Sequence, residues 1–205
     1  MPAQLRCRDL RAGDILLKVS DGSLISRAIQ MGQSLSGGLN PHVVHAGVMF
    51  DSTYVIEAQG SGVTAHDLRV QNRGYGYCVY RCTNPSMAQG SGTCAKMMFD
   101  IHQRGGNLSY GLSGAIGSLL GTSGRPATPG EMDTLLDRIL AGRNHQFFCS
   151  QLVVYVYQFV AEQCGVAAGT LFNFADAKVP PSTLAASLQG HPAFAEAGYL
   201  LANER

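Results

Sequence analysis

The chain has 205 residues, of which 45% are hydrophobic and 14% charged, well below the charged share of about 25% usual in globular proteins. That length suits one domain with a sizeable core and is short for two. A net charge of +1 with no basic run argues against nucleic acid as a partner, and no apolar stretch approaches the about 20 residues that span a bilayer.

The opening "MPAQLRCRDLRAGDILL" interrupts any apolar leader with Arg and Asp, so no secretory signal peptide is expected. Turn residues Ala12 and Gly13 introduce a first strand over 13–20. Residues 23–33 have apolar side chains at helical spacing behind Ser23 as N-cap, and 35–42 is loop chemistry. Three strand-like runs follow at 43–50, 54–60 and 75–83, the first two joined by "DST" (51–53) into a hairpin. A shorter run, 62–68, fits beside them.

The second half turns helical. One helix is expected over 85–105, and the small-residue segment 111–130 ends in a Gly/Pro/Thr loop. An amphipathic helix over 131–142 stops at Gly142. Residues 149–164 are apolar nearly all round, the mark of a central buried helix, and 180–190 closes with a short helix. Strands first and helices after predict an α+β fold: a single domain over 1–205, with one antiparallel sheet packed on a central buried helix that starts at Cys149.

Six cysteines stand at 7, 78, 82, 94, 149 and 164. Their spacing matches no compact secreted framework, so reduced thiols are expected. Cys78 and Cys82 share one face of a strand, but no second Cys/His pair completes a zinc site. Neither a metal nor another cofactor is expected.

Cys149, in "FFCSQLVVYVY", sits at the expected start of the buried helix. Unpaired N–H groups and the helix dipole favour an anion there, a setting that lowers a thiol's pKa. His45 stands in "HAGVMF", where Gly47 leaves room beside the ring. Twelve residues on, Glu57 stands in the next strand of the same hairpin, within reach of a cross-strand contact. The carboxylate can accept from one imidazole nitrogen while the other takes a thiol proton. Nucleophile, base and orienter are then all present.

"FFCSQLVVYVY" resembles the nucleophile segment of the NlpC-like cell-wall cysteine peptidases, in which Cys-Ser-Gly-Leu-Val opens the central helix. "HAGVMFDSTYVIEAQGSGV" (45–63) resembles that family's His strand and the strand after it. Here His45 precedes Cys149 by 104 residues, the reverse of the usual order. With "LRAGDILL" (10–17), this order resembles the circularly permuted branch of the papain-like clan, which also holds lecithin–retinol acyltransferase-like enzymes. The resemblance covers about half the chain in three separated motifs.

The resemblance implies Cys149 as nucleophile, His45 as general base and then acid, and Glu57 as orienter. It places Tyr110, Ser150 and Gln151 at the substrate groove, while its place at the helix start makes the backbone N–H of Cys149 the natural first oxyanion donor. Gln151 replaces the small Gly of the usual motif, and the orienter is acidic rather than His, Asn or Gln. Both departures weaken the transfer of substrate identity. His42 and His145 flank the motifs as solvated loop residues.

The implied activity is hydrolysis through an acyl-thioenzyme, with amide bonds of bacterial cell-wall peptides as the substrate. A lipid ester or acyl transfer is the alternative within the permuted branch, and the apolar 111–123 segment suits either an acyl chain or a packed helix. The presence of all three catalytic residue types argues against a non-catalytic binding module, and a purely structural or partner-binding domain leaves the coincidence of His45, Glu57 and Cys149 unexplained. Without a signal peptide, the protein is expected in the producer's cytoplasm or exported by another route. A toxin-like effector role would bring secretion machinery and an immunity protein as partners.

Overall fold

The computed structural model describes residues 3–19, 43–59, 62–104, 149–167, 170–172 and 181–203. Seven strands form one sheet: β1 (Gln4–Leu5), β2 (Ile15–Val19), β3 (Val43–Met49), β4 (Tyr54–Gln59), β5 (Gly62–Asp67), β6 (Gly76–Cys82) and β7 (Phe194–Leu201). A single 3₁₀ turn, Cys7–Asp9, follows β1. The described helices are α1 (Pro85–Gln103), α2 (Cys149–Gln163) and α3 (Pro181–Leu188). The order across the sheet is β1-β7-β6-β2-β3-β4-β5. The α+β expectation holds, but the sheet is mixed rather than antiparallel, because β1 runs parallel to β7 at its edge. The expected helices over 23–33 and 131–142, the loop 35–42 and the segment 111–130 lie outside the described residues.

The β3–β4 hairpin closes for a local reason. Asp51 Oδ1 accepts from the backbone N–H groups of Thr53 (2.7 Å) and Tyr54 (2.9 Å), an Asx turn that reverses the chain. Helix α1 is opened by Asn84, whose side-chain oxygen accepts from the N–H groups of Ser86 (3.0 Å) and Met87 (3.1 Å), with Pro85 in the first turn. Such a cap is worth about 1 kcal/mol.

Alternation along the strands serves two apolar clusters. Ile15, Leu17, Ala46, Val48, Ile56 and Ala58 pack with α1, α2 and α3 in the main core. Leu16, Met49, Val55, Tyr77 and Val79 pack with Cys7, Leu10 and Leu68 in the other. In α2, Leu152, Val153, Val156, Tyr157 and Val160 have no exposed surface. Each such side chain contributes about 1.5–3 kcal/mol relative to exposure, so α2 is held by packing.

Helix α2 is also tied to the β2 entry, where Tyr157 Oη donates to the Gly13 carbonyl. Gly13 has φ +81°, and a Cβ there would overlap the Ala88 backbone of α1. Glycine is needed for both the left-handed conformation and the close approach. Among the described residues, no helix is long and apolar enough to cross a membrane.

Candidate active site

The antiparallel register sets a row of polar side chains across four strands. Lys18 on β2 pairs with His45 on β3. Gly47 of β3 pairs with Glu57 of β4, which puts His45 and Glu57 on one diagonal. Glu57 in turn pairs with Thr64 of β5, which puts His66 on the next diagonal. Same-face diagonal neighbours are within reach of long side chains.

A bulge shapes the end of this row. Lys18 pairs with His45 and Val19 with Val43, so Val44 is the extra residue. It is 48% exposed, between buried Val43 and half-buried His45. Bulges of this kind bend a strand and re-aim its neighbours. Here the bulge lies one residue from His45, where Cys149 of α2 approaches the sheet.

Glu57 is the hub of the site. It is 2% exposed. Its Oε2 lies 2.8 Å from His66 Nδ1. Its Oε1 lies 3.6 Å from His45 Nε2 and 3.5 Å from Asn72 Nδ2. The His45 contact is an ion-pair distance rather than a hydrogen bond, and among the described residues that buried nitrogen has no hydrogen-bond partner. Burial works to raise the Glu57 pKa, but His45 and then His66 outweigh it and hold the carboxyl below its ordinary value of 4.5. Glu57 is therefore ionised at neutral pH.

His45 shows the complementary balance. Burial works against its charged form, yet Cys149 and then Glu57 raise it from 6.5 to about 9. An imidazolium thus stands between a buried carboxylate and the Cys149 side chain, which is 6% exposed. This arrangement can hold a proton beside sulfur and deliver it to an atom bonded there.

All of these groups open onto one cleft of about 620 Å³. Its wall includes Lys18, Val44, His45, Glu57, Ala58, Gln59, His66, Gln71, Asn72, Tyr75 and Cys149. Val44 and Ala58 are the only aliphatic residues among these. Lys18 is held over Tyr75, its Nζ 3.0 Å from the ring centroid, a cation–π contact at the cleft edge.

Three of the residues expected from sequence, Cys149, His45 and Glu57, therefore come together. Helix α2 is described from Cys149 onward, with residue 148 outside the described set. Ser150 is buried in α2 and Gln151 half-buried, and the described cleft wall includes neither. Tyr110, His42 and His145 lie outside the described residues. All six cysteines are free thiols. His66, Asn72, Lys18 and Tyr75 escaped the sequence reading. For His66 a signal existed: Thr64 and His66 alternate with Val63 and Ala65, which marks a polar strand face beside the hairpin.

No protein-family model matches this chain, and no curated protein or solved structure matches it.

Proposed function

We propose that the protein is a cysteine hydrolase of permuted NlpC-like type, working through an acyl-thioenzyme on amide bonds of bacterial cell-wall peptides. The observation that carries this reading is the meeting of Cys149, His45 and Glu57, from α2, β3 and β4, on one open cleft.

In this reading Cys149 Sγ attacks the amide carbonyl while His45 holds the proton. The new C–S bond gives a tetrahedral oxyanion, with the backbone N–H of Cys149 as one donor to it. His45 then protonates the departing amine as the C–N bond breaks, leaving a thioester. Neutral His45 next takes a proton from water, whose oxygen attacks the thioester carbonyl. Breaking the C–S bond releases the acid, and the proton returns to the His45–Cys149 pair. Glu57 keeps His45 oriented and charged between the steps.

Among the described residues the cleft wall carries amide, imidazole, carboxylate and ammonium groups beside comparable apolar surface, so the choice of peptide over lipid rests on the resemblance to the cell-wall peptidases. Delivery to rival bacteria as an effector, by a route that needs no signal peptide, belongs to the same proposal.

The test is incubation with purified cell-wall peptides and, separately, phospholipids, followed by mass spectrometry. The reading expects new amine and carboxylate termini from the peptides, absent with Cys149→Ala. Fatty acid release instead would assign the site to lipid esters, and no product from either would leave it a binding module.

A further inference from the structure

Glu57 makes its short contact with His66, not with His45. The His66 Nδ1–Glu57 Oε2 distance is 2.8 Å against 3.6 Å for His45 Nε2–Glu57 Oε1. Because the carboxylate only accepts, His66 Nδ1 must carry the hydrogen in that bond. The two imidazoles therefore divide the carboxylate, one on each oxygen. A carboxylate held at one oxygen by a directional hydrogen bond cannot turn freely about its last torsion. Asn72 Nδ2, 3.5 Å from Oε1, steadies the other side.

The strands explain why this hold is available. Glu57 is on β4, between β3 with His45 and β5 with His66, and strand pairing fixes all three backbones. Among the described residues, Lys18 from β2 and Cys149 from α2 also face His45. Neither can orient Glu57. Burial, and then the charge on Glu57, oppose ionisation of Tyr77 on β6, so it stays neutral.

We propose that His66 is a positioning residue for the hydrolytic site: its Nδ1–H anchors Glu57 so that the other carboxylate oxygen faces His45. This rests on the thiol-hydrolase reading above. His66 donates one hydrogen bond and takes no part in bond making. Losing it leaves Glu57 ionised but free to rotate, so His45 loses part of the interaction that keeps it protonated.

The experiment compares His66→Ala and His66→Asn with wild type. Asn carries a donor nitrogen close to the place of Nδ1. Two measurements are made: hydrolysis of a cell-wall peptide, and the pH titration of the His45 ring by NMR. His66→Ala should lower kcat about 10–100-fold, as loss of an outer partner does in comparable metal sites. His45 should then titrate at lower pH, and His66→Asn should restore both. Wild-type kinetics and titration in His66→Ala would overturn the proposal. So would a loss as deep in His66→Asn as in His45→Ala, which would make His66 the base. Should His66→Ala fail to fold, the Asn variant decides alone, since a donor role requires near-native turnover and titration. Persistent hydrolysis by Cys149→Ala would sink the thiol-hydrolase reading instead, while the His45 titration would still report on His66.

Discussion

Gly47 on β3 stands directly opposite Glu57 on β4, and a Cβ added to Gly47 would lie 2.9 Å from Glu57 Cγ and 2.6 Å from Val55 Cγ2. The missing side chain is thus the space that the Glu57 stem occupies. Any larger residue must push aside the carboxylate hub or the Val55 packing beneath it.

Gly47→Ala is therefore expected to damage the site more than the fold. Overpacking of this kind costs about 1–3 kcal/mol, which the chain can absorb, while displacement of Glu57 should sharply lower peptide hydrolysis. Thermal unfolding and turnover measured on the same preparation check this. A fully active Gly47→Ala enzyme would mean that Glu57 tolerates movement and that its placement is unimportant.

The six thiols should separate clearly under alkylation. Burial pushes Cys78 up to about 11 and Cys94 to about 12, and raises Cys82 and Cys164 as well. Cys7 is fully buried. Cys149 alone lines the cleft, beside a cationic imidazole. With iodoacetamide near neutral pH, peptide mapping should find Cys149 modified first. Earlier labelling of Cys78 or Cys94 in folded protein would count heavily against its role. Cys149→Ala should keep the fold and lose turnover.

Much of this site was legible because it is local. His45 and Glu57 lie in one hairpin whose three-residue turn has an Asx signal at Asp51, so their approach follows from strand geometry. The central helix was legible from its all-round apolar character. The last strand was not, because "FAEAGYLL" (194–201) holds two Ala, two Leu and one Glu, which favour helix over strand. Pairing with β6 on one side and β1 on the other overrides that preference. Strand β1 has two residues and is a strand only through β7. His66 was missed for a different reason: its partner is already engaged by His45, and nothing in a sequence shows that one carboxylate serves two rings.

Stability should depend on pH through the same pair. His45 has a folded pKa raised from 6.5 to about 9. Its contribution is fully present below about 6.5 and is lost as pH rises through about 9. Glu57 is lowered from 4.5, so its contribution is present above that value and lost as pH falls through the folded one. Urea unfolding across pH should show His45→Asn weakening the alkaline decline and Glu57→Gln weakening the acid one. An alkaline decline undiminished in His45→Asn would place its cause elsewhere.

Glu57→Gln separates orientation from charge. Glutamine keeps an acceptor oxygen and nearly the same shape, so a carboxylate that merely holds the imidazole would be replaced with little loss. A carboxylate that stabilises the imidazolium would not. The second outcome is expected, because Glu57 is almost fully buried, where a charge is poorly screened, and because His45 depends on it for part of its raised pKa. Hydrolysis should fall, though by less than the about 10²–10⁴-fold expected for His45→Ala. The pH dependence of Cys149 alkylation should also change, since His45 beside the sulfur loses the carboxylate that helps keep it protonated. Superimposable curves for wild type and Glu57→Gln would show that the carboxylate does not act on the Cys149–His45 pair.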